Sequence, residues 1–123
     1  MTRYPGLTLR VLGNANPAIG PGKAELIERI AQSGSISAAA RAMGMSYRRA
    51  WLLVDALNED FAEPVVVTAA GGRRGGGASV TSFGRALTVH FRAMEKKASA
   101  AIAADLEYLT GLLKSHSRRR KTR

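Results

Sequence analysis

Apolar side chains along this chain recur at helical spacing in three stretches, and the polar positions between them fix which face of each helix is exposed. Leu26, Ile27, Ile30 and Ala31 mark the buried stripe of a helix over 23–32, which Gly34 stops. Ala50, Val54, Leu57 and Phe61, with Trp51 beside them, mark a second over 47–60. Phe83, Leu87, Phe91, Met94, Ala98, Ile102, Leu106, Leu109 and Leu113 form a heptad-like seam over 83–113, with Thr81 or Ser82 as its cap. Three shorter runs are β-prone: LTLRVL at 7–12, VVVTA at 65–69 and ASVT at 78–81. The stretch GNANPAIGPG after the first run is full of breakers and reads as loop. Ile36, set between serines, reads as a buried anchor or a lone strand residue, and Glu25, Glu28 and Arg29 as a solvated face.

The segment SGSISAAARAMGMSYRRAWLLVDALNEDF, from Ser33 to Phe61, organises the rest. Ser37 is placed to cap a short alanine-rich helix over 38–43, since its hydroxyl can accept from a first-turn amide. Gly44 supplies the left-handed backbone that ends it, and Ser46 caps the longer helix that opens with Tyr47, Arg48 and Arg49. A short helix, a tight turn and a longer helix with exposed cations at its start is the layout of a helix-turn-helix DNA reader. A helical hairpin with a merely solvated arginine pair has the same pattern.

The residues after this segment favour the DNA reader. Pro64 closes the second helix, and the two β-prone runs flank the glycine-rich turn GGRRGGG that holds Arg73 and Arg74. A hairpin directly after a recognition helix is a wing, and arginines at its tip can reach phosphates or the minor groove. A hairpin tip without a DNA role is the alternative. A nucleotide-binding loop is not, because GGRRGGGAS lacks the Gly-Lys-Ser/Thr ending and opens no helix after a parallel strand. The fold class is therefore mainly α with a small β-hairpin: a winged helix-turn-helix over 1–82 and a long C-terminal dimerisation helix over 83–113. A helix of about thirty residues extends roughly 45 Å, more than a small domain covers, so it is expected to pack on a second copy. Folding back within one chain, with a kink near Ser99, is the alternative.

Composition sharpens the partner. The net charge is +10, of which the cations from Lys114 onward contribute six and residues 1–113 four. The body is basic as well as the tail, which points to nucleic acid. The tail 114–123 has no apolar residue to bury and reads as disordered, either adding phosphate contacts or merely solubilising. The absence of cysteine removes disulfides and thiolate chemistry. With no membrane-length apolar run and no signal-peptide core, a cytoplasmic location away from membranes is expected. His90 and His116 lack ligand-spaced partners, and His90 reads as a half-buried helix residue. No cofactor, metal site or enzymatic activity is expected, since no His, Cys or paired carboxylates converge at catalytic spacing.

These residues resemble a known family. Gly34 to Ser37 (GSIS), Gly44 to Arg48, the Ala50–Trp51 pair, the Gly71 to Gly77 wing and Thr81 to Gly84 stand in the order and spacing of the N-terminal DNA-binding domain of ModE, the molybdate-responsive bacterial transcription regulator. The resemblance covers about residues 7–113. It implies a winged-helix homodimer on palindromic double-stranded operator DNA, with Ser46, Tyr47, Arg48 and Arg49 contacting groove and backbone. Full-length ModE adds C-terminal oxyanion-binding domains whose Ser-Ala-Arg-Asn-Gln type motif does not occur here. Molybdate sensing is therefore not carried over, and control is expected to be absent, to come through a separate effector-sensing protein, or to come from a ligand bound elsewhere on the chain. The expected DNA-binding set is Ser37, Ser46, Tyr47, Arg48, Arg49, Arg73 and Arg74, and the expected function sequence-specific transcriptional regulation. A nonspecific nucleoid or RNA-binding protein and a dimeric protein-interaction module are the competing readings.

Overall fold

A computed structural model describes residues 6–14, 16–69 and 77–114. Its elements are β1 (Val11–Leu12), β2 (Pro17–Ile19), α1 (Pro21–Ser33), α2 (Ile36–Met43), α3 (Tyr47–Asp60), β3 (Val66–Thr68), β4 (Ala78–Val80), α4 (Ser82–Ala101) and α5 (Ala103–Gly111). The first three helices share one core: Leu26, Ile27 and Ile30 of α1 meet Ile36, Ala39, Ala40 and Met43 of α2 and Ala50, Val54 and Leu57 of α3. Val65, Val66 and Val80 at the base of the β3–β4 hairpin and Phe91 of α4 close it. This is a winged helix-turn-helix, and the recognition-helix stripe is buried as its spacing requires. Phe61, at the end of that stripe, is half-buried and meets Phe83 edge-on at 6.4 Å.

Several boundaries differ from the sequence reading, each for a physical reason. α1 begins at Pro21, a residue preorganised for a first turn where no backbone donor is needed. Residues 31–34 are all exposed, so the last turn of α1 projects beyond the core; Ala31 is in water and Ala24 is buried instead. α2 is capped by Ser35 and not by Ser37: the Ser35 hydroxyl accepts from the Ala38 N–H at 3.0 Å. Burial decides this. Ile36, Ala39, Ala40 and Met43 lie on one face only if Ile36 is already helical. The N-terminal strand shrinks to Val11–Leu12, and the breaker-rich loop supplies its antiparallel partner, Pro17–Ile19. Pro17 sits at a strand start, where a missing N–H costs nothing.

The long C-terminal helix divides at Ile102, whose φ of −110° and ψ of 14° leave the helical region. Helical bonds bracket the break, Ile102 N–H to the Ala98 carbonyl at 3.0 Å and Leu106 N–H to the Ile102 carbonyl at 2.8 Å. A new N-terminus here places Asp105 in the first turn of α5, favourable for the helix dipole. α5 buries no residue, and His90 is exposed.

Glu28 is more than a solvated charge. Arg92 of α4 donates to both its carboxylate oxygens, at 2.9 and 2.8 Å, and to Glu95 at 2.8 Å. The Glu28 bonds hold the Arg92 guanidinium well above its ordinary pKa, against partial desolvation, and Glu95 adds to the effect. The fork pins α4 to α1. α4 approaches the wing closely at Gly84, where a Cβ would lie 2.5 Å from the Val65 carbonyl oxygen and 2.8 Å from a Val80 methyl. Thr81 caps the helix, accepting from the Gly84 N–H at 2.9 Å while donating to the Pro64 carbonyl at 2.7 Å.

Candidate nucleic-acid interface

The turn between α2 and α3 is three residues long. Gly44, with φ 70°, donates to the Arg41 carbonyl at 3.2 Å, and Met45 donates to that of Ala40 at 3.0 Å, so α2 ends with its last carbonyls satisfied. Ser46 then accepts from the Arg49 N–H at 3.0 Å and opens α3. A helix turns 100° per residue, so the stripe of Ala50, Val54 and Leu57 dictates what faces out. Arg48, Leu52, Asp55 and Glu59 occupy the opposite side, and all four are exposed. Tyr47 lies on one flank, 54% exposed, its ring edge-on to Trp51 at 6.3 Å. Arg49 lies on the other.

Charge along α3 runs against helix stability. Its first turn holds Arg48 and Arg49 and no acid, and its last turn holds Glu59 and Asp60 and no base. Cations at the positive end and anions at the negative end of a helix dipole each cost about 0.3–1 kcal/mol. Neither arginine has an ion-pair partner among the described residues. A folding criterion alone would place these charges the other way round. An external polyanion at the N-terminal end of α3 reverses the sign.

Beside Arg49 the surface is concave. A groove of about 880 Å³ runs between the start of α1 and the helix-turn-helix turn, lined by Arg10, Lys23, Ser46 and Arg49 with Met45 and Leu53, and among the described residues no Asp or Glu lines it. Lys23 is anchored there by donating to the Pro17 carbonyl at 2.8 Å. The basic surface of the N-terminal turn of α3 therefore continues onto the β1–β2 hairpin and α1.

The wing is held at its base by side-chain and turn contacts. Asn58 of α3 accepts from the Val65 and Val66 N–H groups at 2.7 and 3.2 Å and donates to the Val66 carbonyl at 2.9 Å. The Ala78 N–H donates to the carbonyl of Gly34, the left-handed residue (φ 71°) that ends α1, at 3.0 Å. The strands pair in register, Val66 with Val80 and Thr68 with Ala78.

Of the expected site residues, Ser46, Tyr47, Arg48 and Arg49 come together on the outer N-terminal turn of α3. Ser37 does not join them. It lies in the first turn of α2, at the far end from the α2–α3 turn, and its hydroxyl accepts from Arg41 at 3.4 Å. Arg73 and Arg74 fall outside the described residues, as does the tail beyond 114. Sequence reasoning missed Leu52, Asn58, Arg10 and Lys23. Leu52 was legible, because it stands half a turn away from the stripe that was read. The others were not, because their places rest on contacts between neighbouring elements, or on the shape of the groove, that helical or strand periodicity does not report. No group of three or more His, Cys, Asp or Glu that could hold a metal occurs among the described residues, and no helix among them is long and apolar enough to cross a membrane.

A core-anchored helix with an exposed cationic start, following a short helix and preceding a clamped hairpin, defines a DNA-binding regulator domain. The chain belongs to the bacterial regulatory helix-turn-helix family of the lysR type, whose model matches residues 22–85. It is 43% identical to the molybdenum-pterin-binding protein MopA of Rhodobacter capsulatus over 86 residues, covering 70% of this chain and 32% of that protein. It is 39% identical to the molybdenum transport protein ModE of Azotobacter vinelandii over 85 residues, 69% of this chain and 32% of that one. With the DNA-binding transcriptional dual regulator ModE of Escherichia coli K12 it shares 40% identity over 67 residues, 54% and 26% of the two chains. The chain thus spans about a third or less of the length of these curated relatives.

Proposed function

We propose that this chain reads operator DNA sequence-specifically as a ModE-type transcriptional regulator. The observation that carries the reading is the inverted charge order of α3, whose two arginines weaken the free helix and have no ion-pair partner among the described residues, a cost that a bound polyanion offsets. Arg48 faces the base edges, Arg49 and Ser46 the flanking backbone, and Tyr47, braced by Trp51, one wall of the groove. Arg10 and Lys23 extend the phosphate contacts along the groove beside Arg49. Arg73 and Arg74 serve as the wing's contacts.

The same proposal includes a homodimer on a two-fold symmetric site. Its support is the apolar surface beyond the core: Met94, Tyr108, Leu109, Leu112 and Leu113 of the C-terminal seam region are exposed, the last at 72%. A second copy covers that seam and sets the half-site spacing. A separate effector-sensing protein is the remaining partner in this reading.

The test is fluorescence anisotropy on labelled duplexes: sites obtained by repeated selection from a random library, against scrambled DNA of equal length, across a salt series. Selected sites are expected to bind at least about a hundredfold tighter than scrambled DNA, at the low end of specific recognition. Arg48→Ala is expected to flatten that ratio by relaxing one base position. Equal affinity for both duplexes, with binding lost when 114–123 is removed, leaves a nonspecific charge-driven binder and overturns the regulator reading.

A further inference from the structure

Leu52 is a large aliphatic side chain, 55% exposed, on the face of α3 that lies directly opposite the buried stripe. It follows Arg48 by four residues, one turn along the same face, with Asp55 next to it. Scattered exposed leucines are ordinary on protein surfaces. This one stands at the centre of the surface that enters the groove if α3 reads DNA, where every position faces either a base edge or water displaced from one. A leucine there can neither donate nor accept. The only base-edge group in the major groove that it complements is the thymine 5-methyl.

We infer that Leu52 is a specificity-determining residue that selects thymine through its 5-methyl group. The inference rests on the DNA-reading function proposed above. The position of the thymine is set by the helix geometry. One helical turn advances about 5.4 Å, and successive bases are about 3.4 Å apart, so it lies about one to two base pairs from the base read by Arg48. The contact is between two hydrocarbons, so it is insensitive to salt, whereas the arginine and lysine contacts weaken as salt rises.

Uracil differs from thymine by this methyl alone, which makes the test one of DNA chemistry with the protein unchanged. Each thymine of a selected duplex is replaced singly by deoxyuridine, and anisotropy is measured with the full chain and with Leu52→Ala and Leu52→Met. At one thymine per half-site, next to the base whose identity Arg48→Ala relaxes, the full chain is expected to lose about fourfold in affinity, the factor that burying one methyl represents. Leu52→Ala is expected to bind the thymine duplex more weakly by a similar factor and to be indifferent to uracil. Leu52→Met, which keeps an apolar tip, is expected to retain the sensitivity. If no thymine is sensitive while selected sites still bind specifically, the inference falls and the regulator reading stands. If Leu52→Ala remains as sensitive as the parent, the methyl acts through DNA shape, which also overturns the role of Leu52. If selection yields no preferred site, the function itself fails. Circular dichroism of both variants, expected to match the parent, shows that the fold survives a change at this exposed helical position.

Discussion

Replacing Gly84 by alanine sets two effects of opposite sign against each other. Within a helix, alanine is better than glycine by up to about 1 kcal/mol, and Gly84 lies in the first turn of α4, where that gain is smaller. Against it stands the contact geometry. A Cβ would sit 2.5 Å from the Val65 carbonyl oxygen and 2.8 Å from a Val80 methyl, each well inside the 3.4 Å at which ordinary contact begins. The carbonyl cannot step aside, because the Thr81 N–H donates to it at 3.0 Å and Val65 is wholly buried. Overpacking of this kind costs about 1–3 kcal/mol, so the net expectation is a loss of about 1–2 kcal/mol. At roughly 4 °C per kcal/mol for a domain of this size, that is a fall in Tm of about 4–8 °C. Urea unfolding followed by circular dichroism gives the free energy, with Gly111→Ala as control. Gly111 closes α5, and nothing stands within 4 Å of its Cβ position, so that variant is expected to be neutral or slightly stabilising. A Gly84→Ala protein as stable as the parent, or more so, refutes the claim that α4 and the wing are in contact at this glycine.

Asn58→Ala removes the three bonds that join α3 to the wing and strands the N–H of Val65, which is wholly buried. A loss of about 2–4 kcal/mol is expected by the same urea assay, and one below about 0.5 kcal/mol contradicts the role assigned to this side chain. Arg10→Gln and Lys23→Gln are each expected to lower the slope of log affinity against log salt by about one, leaving the preference for selected DNA unchanged. An unchanged slope places the groove beside Arg49 outside the DNA contact.

The sequence carried the recognition helix and the wing strands with little error because both announce themselves locally. Ala50, Val54 and Leu57 repeat at helical spacing, and Val66 and Val80 are β-branched residues on either side of a glycine-rich turn. Where two local signals competed, the reading slipped. Ser35 and Ser37 are equally good caps, and only the burial of Ile36 with Ala39, Ala40 and Met43 selects the first. Pro17–Ile19 sits among breakers, and its strand character comes from its partner Val11–Leu12. The break at Ile102 has neither proline nor glycine to mark it. The Asn58 bonds to the next element, 7–8 residues on, and the long-range Glu28–Arg92 fork, 64 residues apart, are contacts that no periodicity reports.

The base of the wing is fastened from three sides: to α3 by Asn58, to the end of α1 by Gly34, and to the start of α4 by Thr81. All of these contacts lie below the stretch that joins Thr68 to Ala78. Changes of length or charge in that stretch are therefore expected to leave the orientation of α3 untouched. If α3 reads DNA as proposed, reach along the DNA and choice of bases are separate evolutionary variables in this scaffold. Under the DNA-reading function proposed above, overall grip would be retuned through that stretch with the target kept, and the target changed through Arg48 and Leu52 with the grip kept.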